Sequence, residues 1–169
     1  MHLYVGKLLQ EPVGSHLQVE LALGFQDLAD DLSVQGIRGE LTFLRTSDGI
    51  MGYGALIIDI EIECARCLEP ILHPLNVDLE EFFSPAQDIA PDKPAFPIDA
   101  DGYIDLGPIL CDLVIVSTPM HVQCKPDCKG LCPNCGVNLN NTACDCETDD
   151  IDPRMAVLRS WTLGEERTV

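Results

Sequence analysis

The stretch LSVQGIRGELTFLRTSDGIMGYGALIIDIEIECARC, from Leu32 to Cys67, carries two long apolar-rich runs on either side of Ser47-Asp48-Gly49. Runs of this kind broken by turn residues are β-strands joined in a hairpin, and the glycine can supply a positive φ in the turn. In the second run Ile60, Ile62 and Cys64 fall on one face and Asp59, Glu61 and Glu63 on the other, the period of two of a half-buried strand. Upstream, Gly14-Ser15 marks a turn and His16 to Leu21 alternates polar with apolar, which adds a strand. Downstream, Ile71 to Phe83 predicts one more. The first half is therefore expected to be an antiparallel meander.

Between Ser84 and Asp101 four prolines and four aspartates make a stiff, polar composition, and the expectation is a solvated loop. From Asp105, a plausible N-cap, Leu106, Ile109, Leu110, Leu113, Val114 and Ser117 follow the i, i+3, i+4 pattern of one helix face, and Pro119 stops it. The β-branched run Val114-Ile115-Val116 works against that helix. Asp152-Pro153 predicts a terminal helix running to Trp161, preceded by the acidic residues Glu147, Asp149 and Asp150, whose charge suits a helix N-terminus. The fold class is α+β: a mostly antiparallel meander, one or two short helices and a cysteine-rich C-terminal loop. The expected organisation is a single domain overall, with a β-rich body over 1–123, one helix near 106–117, and a zinc-binding loop with a C-terminal helix over 124–169.

At 169 residues and 46% apolar content the chain can bury one ordinary core. No apolar run approaches the roughly 20 residues needed to span a bilayer, and MHLYVGKLLQEPVG lacks the apolar centre of a signal peptide. A cytoplasmic protein is expected. Ten basic residues against 28 acids give a formal charge of −18. That balance weighs against a sequence-independent grip on nucleic acid and suits a basic protein partner.

A reducing compartment leaves cysteines for metal or redox chemistry, and an odd total of nine fits a disulfide framework badly. Six lie in CKPDCKGLCPNCGVNLNNTACDC, Cys124 to Cys146. Four thiolates complete a tetrahedral zinc site, so six are two too many for one ion and two too few for two. CARC supplies the missing pair. The chelating pairs are Cys64 with Cys67, Cys124 with Cys128, Cys132 with Cys135, and Cys144 with Cys146. Cys132, Cys135, Cys144 and Cys146 are assigned to one site, because CPNCG is a compact knuckle in which Gly136 can take a positive φ. Cys64, Cys67, Cys124 and Cys128 form the other, closing a long loop between the meander and the C-terminal loop. The alternative is a single site from Cys124, Cys128, Cys132 and Cys135. Two zinc ions are expected, one on the alternative.

Competing chemistries fit less well. Iron–sulfur clusters also take four cysteines, but paired knuckles with proline and glycine favour zinc. A catalytic zinc keeps an open position, whereas eight thiolates close both sites. Cys111 is expected to be a small buried apolar residue. His121 is either a surface residue or a substitute ligand. Asp99, Asp101 and Asp105 lack calcium-loop spacing. Phosphate-binding loops, dinucleotide glycine signatures and nucleophile elbows are missing. No catalytic residues are assigned, and neither an enzyme nor a small-molecule substrate is expected.

CARCLEP, then YIDLGPIL, then CKPDCKGLCPNCGVNLN with a trailing CDC, then DPRMAVL, together resemble the YceD family, the large ribosomal RNA subunit accumulation proteins. The resemblance runs from Cys64 to Leu158. It implies a non-enzymatic bacterial or plastid factor needed for 23S ribosomal RNA to accumulate. The partners expected on that basis are the large-subunit ribosomal RNA precursor, a basic ribosomal protein, or both, with no membrane. Two zinc–thiolate centres would carry the formal charge to about −22. Arg66, Lys125 and Lys129 flank the cysteines and converge if Cys64, Cys67, Cys124 and Cys128 share an ion. They either neutralise thiolates or meet RNA phosphate or a partner. The alternative function is a zinc- or redox-responsive regulator that binds a basic protein.

Overall fold

The computed structural model describes residues 1–29, 32–89, 94–146 and 154–155. The chain packs as two units, one of Met1–Cys64 with Glu69–Val122 and one of Ala65–Leu68 with Gln123–Val169.

The first unit is built on a seven-stranded sheet. Its strands are β1 (His2–Tyr4), β2 (His16–Leu23), β5 (Gly36–Arg45), β6 (Ile50–Glu63), β7 (Pro70–Pro85), β8 (Phe96–Ile98) and β9 (Tyr103–Asp105), in the order β1-β9-β8-β7-β6-β5-β2. A separate two-stranded sheet pairs β3 (Gln26–Ala29) with β4 (Leu32–Val34). The expected hairpin is β5–β6, paired without a break from Gly36↔Asp59 to Arg45↔Ile50. Its turn differs in one respect: Gly49 is not among the positive-φ residues. Glycine is needed there because a Cβ would lie 2.2 Å from the Phe83 carbonyl oxygen of the next strand.

β6 and β7 run antiparallel over their full shared length, Ile50↔Phe83 to Glu63↔Pro70. The apolar alternation then does what the period of two requires. Leu41, Phe43, Leu56, Ile58, Ile60, Val77, Leu79 and Phe83 turn inward and are buried, with the rings of Phe43 and Phe83 6.0 Å apart and tilted by 59°, within the contact range of aromatic pairs. Helix α2 (Gly107–Ser117) buries Ile109, Leu110 and Val114 in the same core, with Leu106 just ahead of it.

Three expectations change. The helix begins at Gly107 with Leu106 as N-cap, and Asp105 closes β9; its Oδ1 still accepts the Gly107 N–H at 3.0 Å, so it caps an amide from one position further out. The β-branched run does not break the helix, because Val114 is buried, whereas Ile115 and Val116 face outward. The proline-rich segment is not all loop. β7 runs on to Pro85, a 3-10 turn follows at Ala86–Asp88, and Phe96–Ile98 pairs with β7 in parallel. Four further elements, β1, β3, β9 and the short helix α1 (Gly6–Gln10), also go beyond the sequence reading, and the first long run expected from Leu32 is split, Leu32–Val34 pairing with β3 and not with β6. The expected terminal helix from Asp152 to Trp161 and the acidic residues Glu147, Asp149 and Asp150 lie outside the described residues, save Arg154 and Met155, which form a turn.

Candidate metal centre

Three of the four cysteine pairs, Cys64 with Cys67, Cys124 with Cys128 and Cys132 with Cys135, sit on turns, and Cys144 with Cys146 lies in an irregular stretch. Cys64 ends the strand side of the first turn, where its N–H bonds the Glu69 carbonyl at 2.9 Å, and Leu68 follows Cys67 with φ 58°. At Cys132 the N–H bonds the Val137 carbonyl at 2.8 Å while the Gly136 N–H returns to the Cys132 carbonyl at 2.9 Å. Gly136 sits at φ 72°, the left-handed geometry expected for it. An antiparallel bridge of Leu131 with Asn138, and a 2.9 Å bond from the Leu139 N–H to the Gly130 carbonyl, extend this turn into a small hairpin over 130–139.

These turns bring the cysteines into two groups: Cys64, Cys67, Cys124 and Cys128 in one, Cys132, Cys135, Cys144 and Cys146 in the other, all Sγ atoms of a group within 4.8 Å of one another. They are the quartets that the spacing assigned. Cys67 Sγ and Cys124 Sγ stand 3.6 Å apart, too far for a disulfide of about 2.05 Å. The separation is close to the edge of about 3.8 Å that a tetrahedron with 2.3 Å metal–sulfur bonds requires. Either quartet could therefore hold a metal ion. Cys64, Cys67 and Cys128 are buried and Cys124 is exposed; in the second quartet Cys132 is buried, Cys135 exposed and the other two half-buried.

The surroundings favour thiolate at chosen positions. Asn140 Nδ2 donates to Cys128 Sγ at 3.3 Å, and chiefly for that reason the Cys128 thiol is held below its ordinary value. Asn140 is itself fixed: its Oδ1 accepts the Lys129 N–H at 2.9 Å and its Nδ2 also reaches Asn138 Oδ1 at 2.9 Å. In the second quartet the backbone N–H groups of Cys135 and then Asn134 lower Cys132 to about 6, whereas Cys146, set against Cys135 and partly desolvated, is pushed up to about 12. One sulfur ionises readily and its neighbours then resist a second negative charge. A central divalent cation removes that conflict.

The remaining candidates are placed plainly. Arg66, Lys125 and Lys129 are exposed on the turns of the first quartet, and the Leu131 N–H bonds the Arg66 carbonyl at 3.0 Å. His121 is exposed and belongs to neither quartet, and Cys111 is half-buried on α2 instead of fully buried. Asp99 and Asp105 spend an oxygen each on the backbone N–H groups of Tyr103 and Gly107. Asn140 was missed. Its only trace in the sequence is the polar run Asn138-Leu139-Asn140-Asn141 behind the knuckle.

Residues 53–160, which contain both quartets, match the family described as YceD, large ribosomal RNA subunit accumulation protein. The chain belongs to the YceD family. Among its relatives, an uncharacterized protein of Mycobacterium tuberculosis is 36% identical over 130 residues, covering 75% of this chain and 62% of that protein. An uncharacterized protein of Mycobacterium leprae is 30% identical over 103 residues, covering 59% of this chain and 48% of its own length. The chloroplastic YCED homolog 1 of Zea mays, named as a large ribosomal RNA subunit accumulation protein, is 38% identical over 61 residues, which is 36% of this chain and 20% of the plant protein. This YceD chain thus spans less than two thirds of the length of these relatives. No solved structure matches it. Among the described residues no helix is long and apolar enough to cross a membrane.

Proposed function

We propose that this YceD chain is a non-catalytic cytoplasmic factor for accumulation of the large-subunit ribosomal RNA, 23S in bacteria, with a structural zinc ion in each thiol quartet. The observation that carries the reading is that the family match spans both quartets. Four sulfurs around each centre leave no open coordination position for chemistry, so zinc here orders loops that have little core of their own. The partner is the large-subunit RNA precursor, a basic ribosomal protein, or both. Arg66, Lys125 and Lys129, exposed beside the first quartet, are the side chains offered to RNA phosphate.

Reversing all three to glutamate is expected to leave zinc content unchanged and to reduce co-sedimentation with large-subunit precursors along with the level of mature large-subunit RNA. Zinc is measured on the same sample, and an Arg66→Gln, Lys125→Gln, Lys129→Gln variant replaces the reversal if that loses metal. Undiminished co-sedimentation by a fully metallated variant would remove RNA contact from this patch.

A further inference from the structure

β2 is the last strand of the seven-stranded sheet and pairs with β5 alone, from His16↔Leu44 to Leu23↔Ile37 without a register break. Its eight residues, HLQVELAL, contain no proline and no lysine, the usual devices that keep an edge strand from accepting another chain. Among the described residues no backbone or side-chain hydrogen bond reaches its outer edge. The opposite edge of the sheet is only the three-residue β1.

A second observation concerns charge. The registers place Glu20 opposite Glu40, Glu40 opposite Ala55, and Ala55 opposite Asp78, in one row across β2, β5, β6 and β7. The neighbouring row ends in Glu80, beside the exposed Tyr53. Strands lie about 4.8 Å apart, so Glu20 and Glu40 are directly facing like charges, which destabilises a sheet. None of the four carboxylates has an ion-pair partner among the described residues; Arg38 is taken by Asp59, with Arg38 Nη2 3.2 Å from Asp59 Oδ1. A groove of about 510 Å3 opens at the β2 end of the row, lined by Gln18, Glu20, Gly39 and Glu40.

We propose that the outer edge of β2 takes an extended, basic segment of a partner protein as an added strand, with a lysine or arginine set against the Glu20–Glu40 row. The backbone supplies the ladder and the acidic row selects the side chains. A second copy of this chain is the wrong occupant. Two-fold antiparallel pairing of β2 with itself must match faces. Centred on Glu20 it lines up four glutamates, centred on Val19 it offers Glu20 only Gln18, and centred on Gln18, where His16 would face Glu20, it pairs only residues 16–20 of the eight. Nucleic acid and anionic lipid are repelled by the same row. The biological setting rests on the assembly-factor reading above, for which a basic ribosomal protein is one partner class; the geometry does not.

The test uses the zinc-loaded full chain and a fluorescent peptide of β2's length alternating lysine with valine, followed by anisotropy in about 0.15 M salt. Binding is expected to exceed that of the glutamate–valine peptide and to vanish when every backbone nitrogen of the peptide is methylated, which removes the donors from both edges of the added strand. Combining Glu20→Gln with Glu40→Gln should weaken binding roughly fivefold to tenfold and raise the melting temperature, while the charge-matched pair Asp101→Asn and Asp112→Asn changes neither. Equal binding of the methylated peptide, equal loss in both charge pairs, or a wild-type dimer abolished by proline at Val19 would each overturn the proposal. Depleting the protein without lowering large-subunit RNA would sink the assembly-factor reading and leave the peptide result standing.

Discussion

Leu68 and Gly136 hold the same place in two similar turns, one residue after the second cysteine of a C-x-x-C, and both have positive φ, 58° and 72°. Glycine enters that region freely and leucine at a cost of about 1 kcal/mol or more. Leu68 is largely exposed, so little packing offsets the strain. Leu68→Gly is expected to stabilise the protein by about 1 kcal/mol in chemical denaturation, and Gly136→Val to destabilise it and loosen an ion; a destabilising Leu68→Gly would mean that the side chain has a partner in function. The thiol spacing made the quartets legible, because chelation imposes short, local patterns. Asn140 was not legible, since its role depends on a fold-back that places it against Cys128 twelve residues away.

A titration follows from the same residues. With Cys132 at about 6, this sulfur is already mostly thiolate at neutral pH, whereas Cys146 at about 12 is fully protonated. Zinc uptake by the second quartet at pH 7 should release protons, because thiols must ionise to bind the ion, and its affinity should therefore fall as pH falls. Calorimetry in two buffers of different ionisation heat, on a Cys64→Ser chain that keeps only this centre, reads the release directly. Uptake with no net proton release would mean that the four sulfurs are already thiolate before the ion arrives.

At the scale of elements, β5 and β6 approach each other through a reciprocal pair of glycines. A Cβ on Gly39 would meet the Ala55 carbonyl oxygen at 2.3 Å, and one on Gly54 the Glu40 carbonyl oxygen at 2.2 Å, both at φ values of 148° and 156° that side chains rarely adopt. Gly54→Val is expected to cost about 3 kcal/mol or more, seen as a large drop in melting temperature, while Thr42→Val on the half-buried outer side of β5 changes it little. The hairpin itself was readable, because alternation over ten or more residues leaves few alternatives. β8 was not: three residues containing Pro97, flanked by further proline and aspartate, carry no period, and their strand state is set by the long β7 alongside. The shift of the α2 cap has the same origin, since Asp105 is claimed by pairing with His2 in β1.

Taken whole, the chain carries a formal −18 on a β-rich unit and a cysteine-rich unit, and its stability divides accordingly. Cys64→Ser and Cys144→Ser remove a sulfur from different quartets, so native mass spectrometry should show each variant keeping one zinc of two, and the double variant none. Loss of the same ion from both would overturn the assignment of pairs, and retention of one tight ion by both variants and by the double variant would return the single-site alternative of Cys124, Cys128, Cys132 and Cys135. A strong chelator should unfold the cysteine-rich unit and leave the sheet's circular dichroism largely in place.

The first quartet also sets a schedule. Cys67 and Cys124 are 57 residues apart, and at ordinary rates of chain synthesis that interval is roughly 3 to 11 seconds. Throughout it the nascent chain displays one bidentate thiol pair with nothing to complete it. Oxidants, stray copper or a competing chelator in the cell meet the protein at its most exposed during its own synthesis, so zinc scarcity should reduce the yield of new protein well before it strips molecules already made.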